Sequence, residues 1–300
     1  MSDSQNATAL PRPAKKLDPV NAGFLLIAHL LGVAGLVYLI TNFNPYTLIL
    51  AIVYGGLCGL AITGGYHRLF SHPTYKANAF LRAIYLFFGA ASIQNSALKW
   101  SADHRRHHAR TDTDDDPYNI RRGFWWAHIG WVLFDAGETD LSLVKDLEED
   151  PLVRFQDRHY LALVILSAAV VPALIASLWG DWLGGLLVVG FLRLIVEWHS
   201  TFSVNSFTHM VGAQPYCKKG SARDSWLVAL ITFGEGYHNY HHRFPIDYRN
   251  GVRWYQFDPT KWFVWTLSKL GITRDLRRTP EPRRLEALRK TAEESASRAA

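Results

Sequence analysis

The chain has 300 residues, of which 49% are hydrophobic and 19% are charged, and its formal net charge is +6. This much apolar surface excludes a disordered chain. Two cysteines, Cys58 and Cys217, are too few and too far apart for a disulfide framework or a thiolate zinc finger.

The apolar residues are concentrated in four long segments that contain few or no charges. The first two segments carry no charge at all, and the fourth is interrupted only by Arg193, Glu197 and His199. Each segment is about as long as the ~20-residue helix that crosses a bilayer. The sequence therefore predicts four membrane spans, at about residues 21–40, 45–66, 160–180 and 183–207.

The basic residues indicate how these spans are oriented. Lys and Arg cluster in a polar tail at residues 1–20, in the middle block and in the C-terminal block, whereas the two short loops between paired spans are almost uncharged. The positive-inside rule places all three basic regions, and hence both termini, in the cytoplasm. A positive surplus of this kind relates to topology and anionic headgroups, so no nucleic-acid partner is expected.

The predicted fold class is therefore an all-α membrane protein with two helical hairpins and a helical cytoplasmic cap. The membrane domain covers residues 21–275, with the cap formed by residues 67–158 and 210–275. Within the cap, residues 80–98 are apolar but interrupted, which predicts an amphipathic helix in the membrane interface. Residues 276–300 are predicted to form a charged, solvated helical tail.

Nine of the 13 histidines are clustered near the predicted cytoplasmic ends of the spans. Residues three and four apart share one face of a helix, so each group of three can direct its imidazoles one way, and Asn205 shares a face with His209. His67 and His72 are five apart and diverge on an ideal helix, which predicts a bend or a helix end between them. The nine are His67, His72, His104, His107, His108, His209, His238, His241 and His242.

Nine imidazoles are too many for one metal ion and suit two ions with open positions. Imidazole alone does not choose among zinc, copper, iron and nickel. A site that opens toward the membrane suggests a lipid chain as substrate, and its methylenes offer no acidic proton or leaving group. Iron with O2 is favoured for that reason. A histidine-rich metal transporter is the non-enzyme alternative, although transporters place ligands inside the spans. The remaining histidines, His29, His128, His159 and His199, are expected to be surface or satisfied core residues.

At these groups the sequence resembles the integral-membrane fatty-acyl desaturases, specifically the Δ9 acyl-CoA (stearoyl-CoA) type. The resemblance covers roughly residues 20–275, and residues 247–250 (DYRN) look especially like the fungal members. It is carried by residues 64–69 (GGYHRL), 111–118 (TDTDDDPY), 121–131 (RRGFWWAHIGW), 179–182 (WGDW), 204–209 (VNSFTH) and 233–242 (FGEGYHNYHH).

This resemblance implies four spans beneath a cytoplasmic cap that holds two iron ions. The nine clustered histidines carry over as iron ligands, and Asn205 carries over as a tenth position that acts through water. The implied reaction consumes O2 and two electrons and removes two hydrogens from adjacent methylenes of a saturated acyl chain. It gives a cis-monounsaturated product in unsaturated fatty acid biosynthesis. Asp103 and Glu235 adjoin the ligand groups and are expected to orient imidazoles.

Substrate contacts are expected from residues near these motifs. Family members commonly carry an Arg where Ala102 stands here, so Lys99, Arg105, Arg106, Arg121 and Arg122 are the candidates for holding a phosphorylated head group. An acyl-CoA is favoured, while an acyl-lipid or an acyl-carrier protein stays open. Gly55 and Gly59 either allow close helix packing or admit a longer chain. The other candidate contacts are Asn95, Trp100 and Trp126, and Trp126, Trp131 and Trp198 either line a tunnel or anchor the protein at the interface.

Electrons are expected from a separate protein. Fungal members append a cytochrome b5 domain, and no residues here match its haem motif. Cytochrome b5 or a ferredoxin, with its reductase, is the expected donor, since a basic cap suits an acidic partner. The missing domain also favours a bacterial inner membrane over the endoplasmic reticulum. The enzymatic alternatives are an acyl-lipid desaturase and a membrane di-iron fatty-acid or alkane hydroxylase.

Overall fold

The computed structural model describes residues 16–134, 137 and 139–299, so most of the predicted tail at residues 1–20 lies outside the described residues. Four helices are long and apolar enough to cross a membrane, which confirms the four predicted spans. We call them spans 1 to 4: α1 (Pro19–Thr41), α2 (Pro45–Ser71), α7 (Tyr160–Ser177) and α8 (Trp182–His209).

The cap is built from shorter helices and one two-stranded sheet. The sheet pairs β1 (Lys76–Ala77) with β2 (Thr273–Arg274) in antiparallel register. Short helical turns occur at Ile120–Arg122, Gly130–Leu133, Leu141–Val144 and Lys145–Glu148. The cap helices are α3 (Ala79–Ala91), α4 (Ala97–Arg110), α5 (Phe124–His128), α6 (Pro151–Arg158), α9 (Trp226–Ile231), α10 (His238–Arg243), α11 (Pro259–Lys269) and α12 (Glu281–Ala299).

The spans begin where the sequence supplies helix-capping residues. The Asp18 carboxylate accepts the backbone N–H of Val20 and of Asn21, and Pro19 follows as the first residue of span 1. Asn44 and Pro45 repeat this arrangement at the start of span 2. At the loop end of the spans, Asp181 accepts hydrogen bonds from span 1 through Tyr38 and from span 2. The two hairpins are therefore tied together where their loops meet.

Span 2 changes its helical geometry near its histidines. Ala61–Ser71 is a π-helix, in which each N–H bonds to the carbonyl five residues earlier, and the His72 N–H lies 3.1 Å from the His67 carbonyl. The helix ends at Ser71 and His72 is its C-cap residue, so the predicted helix end between the two histidines is present. The wider turn brings residues five apart onto one side, and their ring centroids lie 5.2 Å apart.

The predicted helix at residues 80–98 is shorter than expected. It ends at Ala91 because Ile93 and Asn95 both adopt positive φ, and Ser96 then caps α4. One face of the helix buries Tyr85 against span 2, whereas Phe80 is exposed. A Cβ added at Gly65 would lie 2.7 Å from the Cβ of Tyr85, so the two helices pack at close range.

Two further predictions concern charged side chains. Arg193 and Glu197 form a buried ion pair of 2.7 Å within span 4, which confirms their structural pairing. The C-terminal helix α12 is largely exposed, but Ala287 packs against Tyr240 and Phe244 next to the third histidine group. The tail predicted at residues 276–300 is thus held against the cap.

Candidate metal centre

The nine clustered histidines converge in two adjacent groups. Within each group one nitrogen of every imidazole lies within 4.8 Å of those of all other members. The five-histidine group consists of His67, His72, His104, His108 and His241, and the four-histidine group consists of His107, His209, His238 and His242. The rings of His108 and His242 stack across the boundary with centroids 4.3 Å apart.

Helices α4 and α10 each contribute to both groups. His104 and His108 face the first group while His107 faces the second, and α10 repeats the division in reverse order. The expectation that each triplet points in one direction is therefore wrong. Residues four apart differ by only about 40° around a helix, whereas the residue at i+3 lies about 60° to the other side. Each helix thus lies between the two groups and supplies both.

Ring nitrogens of the histidines face one another within each group. The Nδ1 of His67 lies 2.9 Å from the Glu235 carboxylate, which orients the ring so that its Nε2 points into the five-histidine group. This Nε2 lies 3.0 Å from the Nε2 of His241. In the second group, the Nε2 of His209 is buried without a hydrogen-bond partner among the described residues. Converging imidazole nitrogens fit metal cations between them.

The electrostatic setting keeps the imidazoles in the form that binds metal. Burial, and then the neighbouring imidazoles, hold the pKa values of His72, His104, His108, His238, His241 and His242 well below the usual range. A metal ligand must be deprotonated, so these rings are ready to coordinate at neutral pH.

Glu235 and Arg68 form a buried charged network that orients His67. Burial opposes ionisation of Glu235, but Arg68 and His67 outweigh it and lower its pKa to about 2. Arg68 is 1% exposed and also donates to Asp258, 3.0 Å away. Asp103, the other expected orienting carboxylate, is half-buried and lines the central cavity beside His104.

Two outer partners of the histidines, and a carboxylate that holds one of them, were not predicted from the sequence. Asp116 accepts from the Nδ1 of His107 at 2.8 Å. Ser221 lies 2.6 Å from the Nδ1 of His209 and is itself held by Asp112. The acidic run at residues 111–118 was a visible signal, but spacing alone does not show which of its carboxylates reach a histidine.

A cavity of about 850 Å³ extends from the spans to the histidine groups. Its wall includes His67, His104, His107 and His238 at one end and apolar residues of spans 1, 2 and 4 along its length. Among the expected contacts it is lined by Asn205, Gly55, Gly59, Asn95, Trp100, Trp131 and Trp198.

Several other expected substrate contacts lie elsewhere. Lys99, Arg121 and Arg122 are exposed on the cap, and Trp126 lies beneath Arg122, whose guanidinium is 3.3 Å from the ring centroid. None of these four is among the described residues that line the cavity. The Arg105 guanidinium donates hydrogen bonds to Asp146 and to the backbone carbonyls of residues 70, 71 and 143, so its N–H groups are used inside the protein and not for substrate.

A hydrogen-bonded set of polar residues in the cavity wall was not anticipated. The Gln94 amide donates to the Thr201 hydroxyl at 3.0 Å and accepts from the Trp100 indole at 3.3 Å. The Trp100 ring stacks on His104 at a centroid distance of 5.0 Å. These three residues therefore place polar atoms in an otherwise apolar wall, next to the five-histidine group.

The four histidines outside the two groups have hydrogen-bond partners or lie on the surface, as expected. His29, His199 and His128 form a hydrogen-bonded chain that ends on the Ser206 hydroxyl. His159 packs against Phe155 with a centroid distance of 4.7 Å.

The chain is similar to known proteins over most of its length. The fatty acid desaturase family profile matches residues 43–273. A probable acyl-CoA desaturase of Schizosaccharomyces pombe is 47% identical over 244 residues, which cover 80% of this chain and 51% of the relative. Acyl-CoA desaturase 1 of Saccharomyces cerevisiae is 44% identical over 241 residues, 79% of this chain and 47% of the relative.

A mammalian relative is covered more completely. Stearoyl-CoA desaturase 5 of Homo sapiens is 40% identical over 269 residues, which cover 87% of this chain and 81% of the relative. The chain thus spans about half the length of the two yeast relatives. These relatives come from yeasts and a mammal, so they give no support to the expected bacterial inner membrane.

Proposed function

Because the chain belongs to the fatty acid desaturase family, we propose that it desaturates a saturated fatty-acyl chain, with acyl-CoA as substrate and Δ9 as the position. The reaction removes two hydrogens from adjacent methylenes, consumes O2, two electrons and two protons, and gives a cis double bond and two waters. The observation that carries this proposal is the apolar cavity that ends on both histidine groups. Its volume of about 850 Å³ is within the range of ligand-binding pockets.

The nine histidines, with Asn205 acting through water, would hold two iron ions. When bound, these ions would supply the oxidising power, drawn from O2 and two electrons, that an unactivated C–H bond requires. The convergence of the imidazole nitrogens in two groups supports this assignment, as does the buried Nε2 of His209, which has no hydrogen-bond partner among the described residues.

The protein's own residues would decide which methylenes react. Chemically equivalent methylenes can be distinguished only by position, so the cavity wall has to hold the chain in one register. Trp100 stacks on His104 and bonds to Gln94, which gives the wall beside the histidines a fixed shape. The same wall excludes bulk water from the reacting carbons.

The carrier and the electron donor belong to the same proposal. Lys99, Arg121 and Arg122 are exposed on the cap and are suited to the phosphates of coenzyme A. The names of the yeast and human relatives refer to acyl-CoA or stearoyl-CoA, which supports this substrate class. An acidic redox protein such as cytochrome b5 or a ferredoxin, with its reductase, would supply electrons at the basic cap, and both termini would be cytoplasmic.

Product analysis of the iron-loaded protein in vesicles tests this function. The protein is supplied with an electron-donor system and with matched stearoyl-CoA and stearoyl-phosphatidylcholine. A cis-Δ9 monoene formed from stearoyl-CoA is the expected product. A hydroxylated product would show that the enzyme is a hydroxylase and not a desaturase. Turnover of the phospholipid alone would show that the substrate is an acyl-lipid and not an acyl-CoA.

A further inference from the structure

Two short cap helices, α9 and α11, present large apolar side chains to the outside. In α9, Trp226 is 67% exposed and Leu230 is 46% exposed, together with Leu227 and Ile231 on the same face. The opposite face buries Val228 and Ala229. No charged residue occurs between positions 225 and 234. An exposed face of this kind requires an apolar or interfacial environment.

The contacts of these helices place them at the edge of the hydrocarbon layer. Span 2 has 27 residues and span 4 has 28, so both exceed the ~20 residues that cross it. Counting about 20 residues from the hairpin-loop ends at Pro45 and Trp182 reaches positions near 64 and 201. At these levels, the Ser200 hydroxyl donates to the carbonyl of Ile231 in α9. Thr260 in α11 lies 2.6 Å from Thr63, hydroxyl to hydroxyl.

The composition of α11 is typical of a bilayer interface. Trp262 and Trp265 are exposed while Val264 and Thr260 are buried. The ammonium of Lys269 lies 5.1 Å from the centre of the Trp265 ring, so a cation and an aromatic ring are paired at the end of the helix. Tryptophan rings and basic side chains are enriched where acyl chains meet headgroups.

We propose that α9 and α11 form an interfacial rim, which inserts into the headgroup–acyl boundary of the bilayer beside spans 2 and 4. The bilayer is the expected occupant because α9 is held against span 4 at Ser200, about 20 residues from the hairpin-loop end of that span, and presents its apolar side chains outward there. Ile231, Thr232 and Phe233 at the end of α9 also line the cavity. The α9 part of the rim therefore contributes to the cavity wall.

Quenching of site-specific probes in vesicles tests the rim. The full chain carries Cys217→Ala, which leaves buried Cys58 as the native thiol. Separate Leu230→Cys and Trp265→Cys variants carry a fluorescent probe in phosphatidylcholine vesicles. Leu30→Cys on the lipid-facing surface of span 1 and Glu286→Cys on the exposed side of α12 are the matched controls.

The rim probes should be quenched by lipid spin-labelled near the headgroup and several-fold less by aqueous iodide than the probe on α12. The span 1 control should respond to a spin label deeper in the acyl chain. Iodide quenching at positions 230 and 265 equal to that at position 286 would overturn the proposal. So would protection from both quenchers, which would assign the face to a second copy or another protein. Probe depth is read without turnover, so this result is independent of the proposed reaction.

Discussion

Replacing Glu235 by Gln should weaken metal binding at the five-histidine group while the four-histidine group keeps its ion. One carboxylate oxygen accepts from the Nδ1 of His67 at 2.9 Å and from the amide of Asn250 at 2.6 Å. The other oxygen accepts two N–H groups of Arg68. An amide NH2 at either position faces donors, so each orientation of the Gln side chain leaves two buried donors unpaired.

The size of the effect follows from this count. Arg68 is 1% exposed and keeps only Asp258 as a carboxylate partner, and breaking a buried ion pair costs about 3–5 kcal/mol. Loss of the group that orients a ligating imidazole lowers metal affinity by about 10–100-fold. We expect a lower midpoint of thermal unfolding in detergent and weaker binding of one of two ions in a metal titration.

A matched control separates this effect from a general loss of charge. Glu293→Gln removes a carboxylate whose side chain is 60% exposed and which pairs with Arg289 on α12. Exposed pairs contribute about 0–1 kcal/mol, so this variant should behave as wild type. Wild-type affinity of Glu235→Gln for both ions, or equal weakening of both sites, would show that Glu235 does not orient His67 for metal binding.

Four other substitutions have defined outcomes. His107→Ala should abolish desaturation and lower the bound iron measured by elemental analysis, whereas His159→Ala should retain both; an active His107→Ala protein would remove that residue from the ligand set. Gly56 lines the cavity and a Cβ there meets no atom within 4 Å, so Gly56→Leu should shift the preferred substrate to shorter acyl chains without loss of stability. A Cβ at Gly59 would lie 2.5 Å from the Phe233 ring, so Gly59→Leu should destabilise the protein by about 1–3 kcal/mol. If both variants kept the wild-type preference for acyl-chain length, these glycines would not limit the length of the bound chain. Burial raises the pKa of Asp224 to about 7, so the folded state keeps a proton that the unfolded state loses near pH 4. Asp224 should therefore lower the free energy of unfolding as the pH rises from about 4 to about 7. Asp224→Asn removes the effect, and its stability gain over wild type should be larger at pH 8 than at pH 4.5; a gain independent of pH would show that Asp224 ionises normally.

The amino-acid sequence by itself determined the membrane architecture and the kind of site. The membrane spans could be predicted because the length of an apolar segment is a local property of the sequence. A charge-free segment of about 20 residues is typical of a membrane-spanning helix. The ligand type was equally visible, because clustered histidines at helical spacing point to metal binding without knowledge of their partners. The pairing of Arg193 with Glu197 was predictable for the same reason, since both lie on one helix at i and i+4.

Only the tertiary structure decided how these parts combine. Which histidine belongs to which group depends on the rotation of α4 and α10 relative to the spans, and no spacing within one helix contains that information. The π-helix that brings His67 beside His72 forms where Gly64 and Gly65 pack against Tyr85. Tertiary contacts also form the cavity, place Asp116 against His107 and hold α9 against span 4. Hydropathy and spacing describe each segment alone, whereas a site is formed by the packing of several segments against one another.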